Sequence, residues 1–360
     1  MGEPFLKPVF LIGAVGASVT GAVAEMVVGV LDTSTMGSPE RSSGRLHRTP
    51  NDASRDTKRL LSPFEAGSGA RMPDVAVVVV AYQSSETIGA CVRSILEDED
   101  ARVAVVDNAG DSATEAICRD PGLQGRVSYL DPGRNLGYAR AANLGLAVLA
   151  GRETVAVVNP DVRLTRTLSD LLAAACPARQ DVVAGRLVSQ VPGAVNARPA
   201  TTVGRELAKA VLGSRAYRGT TRTPQTRVQA VDQLDGALLV LAADRWAELG
   251  GFDERFELYY EDVDLCARVR REGSCLLVWD EWGEHQGGHS FQQSAGKAYE
   301  ALRVSRVRYA RRWWRPAARS ALATIAITAL EFVVRSLTRQ PEGQRVRNRT
   351  LRSVVAELRR

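Results

Sequence analysis

The chain has 360 residues, of which 45% are hydrophobic and 24% charged, with a formal charge of +6. That length and balance exclude a chain too short or too polar to bury a core, and leave one large α/β domain with appendages or two ordinary domains. Five cysteines, Cys91, Cys118, Cys176, Cys266 and Cys275, stand singly without a C-x-x-C pair. The odd count excludes a full disulfide framework and the spacing excludes a zinc site, so they read as reduced core residues of a cytosolic protein. Charge is unevenly spread: Lys297 to Arg360 carries 16 Lys/Arg against 4 Asp/Glu, a net +12, which leaves the rest at −6.

From Pro8 to Leu31 the run PVFLIGAVGASVTGAVAEMVVGVL is apolar and long enough for a membrane span, but Glu25 interrupts it and Gly, Ala, Ser and Thr dilute it. It reads as a signal peptide or anchor. Asp32 to Arg71 is rich in Ser, Arg, Pro, Gly and Thr without periodicity, and reads as disorder. Met72 opens the folded core. The sequence favours translation from Met72, with residues 1–71 a mis-assigned extension, because nothing downstream needs a secreted context.

After Met72 strands and helices alternate. Val75–Tyr82 is a continuous apolar run, as in a parallel strand buried on both faces, and Ser85–Leu96 has helical periodicity. Arg102–Ala109 is a second strand, followed by a helix through Thr114–Cys118. RVSYLD is a third strand, Tyr138–Ala150 a helix, and TVAVVNPDV a fourth strand. This rhythm predicts a doubly wound, mostly parallel sheet in an α/β domain over residues 72–290. Ligands bind such sheets at the carboxyl ends of the strands, so Tyr82, Asp107, Asn108, Asn159 and Asp161 are brought to one crevice.

The turn after the first strand reads AYQSSETIG and lacks the glycines of a dinucleotide-binding loop, which sets a dehydrogenase aside. It also lacks the glycine- and lysine-rich loop of a nucleotidyltransferase. The strand ends offer carboxylate instead: Asp107 can accept from a base N–H and Asp161 can hold a divalent cation. A nucleoside diphosphate with metal-borne charge fits.

A second acidic group stands in LYYEDVDLCARVRREG, Leu258 to Gly273, where Glu261, Asp262 and Asp264 precede an amphipathic helix whose apolar face is Val263, Leu265, Cys266 and Val269. Acids in a first helical turn are favoured by the macrodipole alone. They are equally what an active-site acid cluster would look like, and the stretch by itself leaves both readings open.

The succession VVVVAYQSSETIGACVRSI, VAVVDNAGDSAT, GRNLGYARAANLGL, VAVVNPDVRLT, LDGALLVLAADRWAELGGFDERFELYYEDVDLCARVRREG and EHQGGHS resembles the inverting family-2 glycosyltransferases of the GT-A fold, from about Val75 to Ser290. Within that family NLGY, NPDV, GGFDERF, YEDVDL and the basic tail are most similar to actinobacterial rhamnosyltransferases that act on GlcNAc carried by polyprenyl diphosphate, with dTDP-rhamnose as donor.

The resemblance implies a transferase of cell-wall or surface-polysaccharide synthesis, with Mg2+ or Mn2+ on Asp161 and on His285, His289 being an alternative ligand. It assigns the nucleotide to Ala81, Tyr82, Asp107, Asn108 and Asn159, with Arg134, Asn135 and Gly137 at the phosphates and Arg140 a rival there. Asp262 becomes the general base, with Glu261 orienting the acceptor or taking that role, and Asp264 capping the helix. Asp235 and Gly236 open the acceptor pocket, Trp246 through Phe256 form its floor, and Trp279 or Trp282 stacks on a sugar. Other NDP-sugars, or an inactive sugar-nucleotide-binding protein, are the alternatives. Retention of Asp161 and Asp262 together argues against the inactive one.

Residues 291–360 set arginines and Trp313–Trp314 beside an apolar stretch, Ser320 to Val334, too short to span a bilayer and broken by Glu331. The expectation is a set of amphipathic helices on an anionic membrane surface, the tryptophans at headgroup depth, at the cytoplasmic face of the plasma membrane. A helix packed on the catalytic domain is the plainer reading of the same stretch. No base-reading module accompanies the basic residues, so nucleic acid is not an expected partner. A homo-oligomer is compatible with the sequence.

Overall fold

The computed structural model describes residues 74–123, 125–189, 195–212, 226–287, 295–314, 316–337 and 344–360. The reading of residues 1–71 lies outside them, as does His289. In chain order the elements begin with β1 (Val75–Ala81), α1 (Ile88–Leu96), β2 (Ala101–Asp107), α2 (Ser112–Cys118), β3 (Val127–Leu130), α3 (Tyr138–Val148), β4 (Thr154–Val158) and β5 (Val162–Leu164). They continue with α4 (Leu168–Ala175), β6 (Val182–Ser189), β7 (Ala197–Arg198), α5 (Val203–Leu212), β8 (Val228–Val231), β9 (Gln233–Leu234), β10 (Leu238–Ala242), α6 (Ala243–Leu249), α7 (Glu261–Val269) and β11 (Cys275–His285). Three helices follow, α8 (Ala295–Trp313), α9 (Ala317–Leu337) and α10 (Gln344–Arg359).

Strand β1 is buried at all seven positions, as its unbroken VAVVVVA requires: both faces are covered. It runs parallel between β2 and β4, and β2 is parallel to β3. The sheet order is β3-β2-β1-β4-β10-β6-β11-β5, with β8 also on β11. β10 is antiparallel to both its neighbours, β11 is parallel to β6, and most paired residues of this α/β sheet lie in parallel pairs. α3 lies close on β1 and β2 because Gly145 has no side chain; a Cβ there would meet Val78 at 2.4 Å and Val106 at 2.9 Å.

Two elements differ from the sequence reading for local reasons. α1 begins at Ile88 rather than Ser85, because the Ser84 hydroxyl bonds the Tyr82 amide and carbonyl while the Ser84 carbonyl accepts from Thr87 and Ile88. A side chain that bonds nearby backbone offers an alternative to helix. TVAVVNPDV is not one strand: it turns at Asn159–Pro160–Asp161, where the Val162 amide bonds the Asn159 carbonyl, and β5 crosses to the far edge beside β11.

The basic tail folds onto the domain. α8 packs on α9 and α10, and α9 on α5. Arg306, buried, reaches the Glu331 carboxylate at 2.7 Å, the Thr328 hydroxyl at 2.9 Å and Glu206 of α5 at 3.5 Å. Burial opposes the charge of Glu331, but Arg306 and Arg303 hold its carboxyl down at about 2. This corrects the headgroup expectation. The Trp313 indole donates to Asp264 at 2.9 Å and that of Trp314 to the Thr201 carbonyl at 3.2 Å, so both face inward, and the apolar stretch with Glu331 packs on protein. Among the described residues no helix is long and apolar enough to cross a membrane.

Candidate active site

The carboxyl ends of β1, β2 and β4 open on a crevice of about 1130 Å³. Tyr82, Asn108, Arg134, Asn135, Gly137, Asn159 and Asp161 line it, together with Asp235, Gly236, Glu261, Asp262 and His285. The far wall is built from the tail, by residues of α8 and α10 such as Lys297, Ser305, Ser353 and Glu357.

Asp161 ends the turn after β4, and His285 ends β11 opposite Val162. This pairing of strands brings His285 Nε2 to 3.2 Å from Asp161 Oδ1, while Oδ2 accepts from the Gly287 amide at 3.0 Å. Burial opposes the charge of Asp161; the hydrogen bond and charge of His285 and the Gly287 amide outweigh it, so the carboxyl titrates below its ordinary value. A carboxylate and an imidazole side by side on a crevice wall suit a divalent cation. Among the described residues no group of three or more His, Cys, Asp or Glu stands together as a candidate cation site. The donor set of this pair, one carboxylate and one imidazole, fits such a cation.

The acids of α7 are held differently. Tyr259 and Tyr260 both adopt left-handed backbone, at φ 65° and 69°, which turns the chain sharply into the helix. Asp262 Oδ2 accepts from the Gly236 amide at 3.0 Å and Oδ1 from the Val263 amide at 2.8 Å. Burial and then Asp235 raise its pKa, against the pull of Arg198 and of those two amides. Glu261 is buried, its Oε2 has no hydrogen-bond partner, and burial followed by the Asp262 charge pushes its carboxyl well up. Asp235 is paired with Arg198 at 2.8 Å. Gly236 packs against Asp262, where an added Cβ would come within 3.3 Å of the Asp262 Cβ.

Tyr138 joins the two acid groups, and sequence reasoning missed it. Its hydroxyl lies 2.9 Å from Asn159 Oδ1 and 3.3 Å from the Gly236 carbonyl, and Gly236 in turn donates to Asp262. A short chain of bonds thus ties the Asn159–Asp161 turn to the α7 acids. The only signal in the sequence was its place directly after the NLG turn. Gly137 there takes φ 81°, and a side chain would strike the Glu257 carbonyl at 2.7 Å, to which Tyr138 also donates its amide. Arg198 was missed as well.

Other predicted residues fall elsewhere. Asp107 is buried and its carboxylate serves its own turn, accepting from Ala109, Asp111 and the Tyr129 hydroxyl; it does not line the crevice. Asn108 does, bridging Leu136 and Gly137 with its side chain, while the Ala81 carbonyl only receives the Asn108 amide. Arg134 is exposed on the crevice with no ion pair among the described residues, whereas Arg140 is paired with Glu254 at 3.0 Å. Asp264 does not cap α7: it is buried and ion-paired with Arg268 and Arg312. Trp279 lies in a separate groove, bonded to Gln229, and Trp282 is wholly buried beneath Arg166. Of the expected floor, Trp246 through Phe256, only Glu254 lines the crevice, joined by Glu257, Leu258 and Tyr259 from just beyond it, while Trp246 and Phe252 stack in the core.

Comparison with known proteins bears on the family of the chain. The glycosyl transferase family 2 model matches residues 76–263. An N-acetylglucosaminyl-diphospho-decaprenol L-rhamnosyltransferase of Mycobacterium tuberculosis is 30% identical over 283 residues, 71% of this chain and 90% of the relative. A low-salt glycan biosynthesis hexosyltransferase of Haloferax volcanii is 26% identical over 215 residues, 58% of this chain and 66% of its own length. Among solved structures, a mannosyltransferase from Pyrobaculum calidifontis in complex with GDP-Man and Mn2+ aligns over 96% of both chains, at 15% identity and a TM-score of 0.46. By the family match and the mycobacterial relative, this chain belongs to glycosyl transferase family 2 and is a glycosyltransferase.

Proposed function

We propose that the chain transfers a sugar with inversion from a nucleoside diphosphate, with rhamnose from dTDP-rhamnose the first candidate, to GlcNAc on a polyprenyl diphosphate, in cell-wall or surface-polysaccharide synthesis. The observation that supports this reading is the bonded link Asn159–Tyr138–Gly236–Asp262, which joins the turn that carries Asp161, beside His285, to the acids of α7 across one crevice. Asp161 and His285 would hold Mg2+ or Mn2+ against the diphosphate, and the bound ion supplies charge neutralisation for the leaving group. Tyr82 lies against the base, and Arg134, free of ion pairs among the described residues, faces phosphate beside the Asn135–Gly137 turn.

Asp262 removes the proton of the attacking acceptor hydroxyl, which must approach the anomeric carbon opposite the leaving diphosphate for inversion. The Gly236 and Val263 amides fix its two oxygens in place, and its raised pKa makes it a stronger base than a solvated aspartate. The name of the mycobacterial relative supports the rhamnosyl donor and lipid-linked acceptor; that of the archaeal relative is compatible with another hexose. The test is a panel of dTDP-, UDP- and GDP-sugars with Mg2+ or Mn2+ and a polyprenyl-diphosphate GlcNAc analogue. Transfer from dTDP-rhamnose alone supports the finer reading. Transfer from another donor retains the transferase and replaces the sugar, and absence of both transfer and donor hydrolysis overturns the reading.

The reading places the protein at an anionic membrane surface, as the acceptor requires. Exposed arginines of the tail, among them Arg311, Arg349, Arg352 and Arg359, supply the attraction. Flotation with anionic liposomes should fall as salt rises. Failure to float at low salt removes the surface from the proposal.

A further inference from the structure

The tail does more than cover the sheet. α8 runs along the segment that carries the catalytic acids and bonds it at successive points. The Ser305 hydroxyl donates to the Leu258 carbonyl at 2.9 Å, and Arg308 bonds the Arg255 carbonyl. Tyr309 packs with Phe256 and Tyr260. At its C-terminal end α8 presents Arg312, which lies 2.8 Å from Asp253 and 3.1 Å from Asp264, and Trp313, whose indole donates to Asp264 at 2.9 Å. Asp264 is fully buried and sits on α7, two positions past Asp262.

This matters because the approach to α7 is strained. Two consecutive non-glycine residues, Tyr259 and Tyr260, hold positive φ. Each such residue persists only where its surroundings over-determine it. Here the surroundings are α8: Tyr260 is buried against Tyr309, and the helix beyond it is pinned through Asp264.

We propose that Arg312 and Trp313, acting through Asp264, are positioning residues for Glu261 and Asp262, so that the C-terminal helices form part of the catalytic apparatus. They touch neither substrate nor cation. Their work is to keep the left-handed turn closed, so that the Asp262 oxygens stay on the Gly236 and Val263 amides and face the acceptor hydroxyl. The inference rests on the assignment of Asp262 as base.

The test uses the full chain and the best donor of the panel. Trp313→Phe keeps an aromatic ring at the position and removes the indole N–H together with the five-membered ring that carries it; Arg312→Gln removes the charge, and Arg312→Lys restores it without the forked geometry. Trp313→Phe with Arg312→Gln is expected to lower kcat on the order of 10²-fold, as a misplaced reacting group does. The KM for donor and the affinity for the nucleoside diphosphate with Mn2+ should stay within about twofold, since the donor turns lie on other elements. Arg312→Lys should recover part of kcat, and hydrogen exchange should quicken at the amides of Leu258 to Val263 while β1 and β4 stay protected. In an Asp264→Asn background the Trp313 change should add little, because the indole acts through that carboxylate, and the Arg312 change should add only what its second partner, Asp253, contributes.

Unchanged kcat in Trp313→Phe and Arg312→Gln overturns the inference. So does a uniform loss of protection with a proportionate loss of active protein, which would mark these residues as purely structural. Asp262→Asn is run alongside: if it alone retains full turnover, the assignment of the base has failed, whereas a dead Asp262→Asn with fully active tail variants refutes only the positioning role.

Discussion

Asp161 and Asp262 both accept from backbone amides, but the first also has an imidazole beside it and the second the charge of Asp235, and the crevice between them treats the two acids in opposite ways. The first is held below its ordinary pKa by His285 and Gly287 despite burial; the second is raised by burial and by Asp235. A carboxylate held charged is suited to a cation, and one held reluctant to ionise is suited to taking a proton. Environments that push two acids apart are how one site obtains both roles from the same side-chain type.

The most severe test of that division is Asp161→Ala. Loss of several kcal/mol of charge stabilisation at the leaving group corresponds to a fall of about 10³-fold in metal-stimulated turnover. Circular dichroism and melting should show an intact fold. Near-normal turnover with Mg2+ or Mn2+ would remove Asp161 from the cation.

Next in size is Asp262→Asn, with turnover down on the order of 10² or more and donor binding retained. A larger loss in Glu261→Gln would transfer the base to Glu261. Linkage gives this pair a second readout. A carboxyl whose folded pKa is raised contributes stability that is whole below its unfolded value and is lost as pH rises through the folded one. Asp262→Asn should therefore gain melting temperature relative to the parent as pH rises above 3.8, the ordinary value of Asp262. For Asp161 the sign reverses: its contribution is present above 3.8 and lost as pH falls through the lowered folded value. Parallel pH–melting profiles for the two variants would break the comparison.

A smaller effect is expected at Asp235→Asn. Removing that charge frees Arg198 to act on Asp262, so the acid limb of the kcat/KM profile should move to lower pH. A limb that moves upward would mean that Asp235 acts through structure alone. Smallest of all is Trp279→Ala: the indole lies in the neighbouring groove, and transfer rates should stay within about twofold, as for a change outside the reacting site. A raised acceptor KM there would extend the acceptor site beyond the crevice.

Apolar periodicity made much of the fold legible. VAVVVVA and VAVVD declare strands buried on both faces, and the strand ends then follow, which is why Tyr82, Asn108, Asn159 and Asp161 meet as read. His285 was legible through its motif. What the sequence withheld is where polar side chains spend their hydrogen bonds. Asp107 stands at a strand end as read, but its carboxylate turns to the Ala109 and Asp111 amides two and four residues on, which the pattern did not show. Trp313 looks like an interfacial residue until Asp264, 49 positions earlier, proves to be its acceptor. Tyr138 looks like any first-turn aromatic, and its two partners lie 21 and 98 positions away. Local pattern does not carry such distant pairings.

The ion group of Arg306, Glu331 and Glu206 spans elements made far apart in time. Arg306 meets Glu206 across 100 positions of sequence and then waits for Glu331, a further 25 on. During synthesis the sheet is complete while Glu206, Phe256 and Tyr260 still lack the helices that bury them. Such a half-built chain would expose apolar surface, with Glu206 left to Lys209 of its own helix, 3.8 Å away, and is the kind of species on which chaperones act. Because the tail also walls the crevice, a nascent chain with its strands formed would still have that wall of the crevice open. Activity would arrive only with the last helices, as a late and cooperative step of folding.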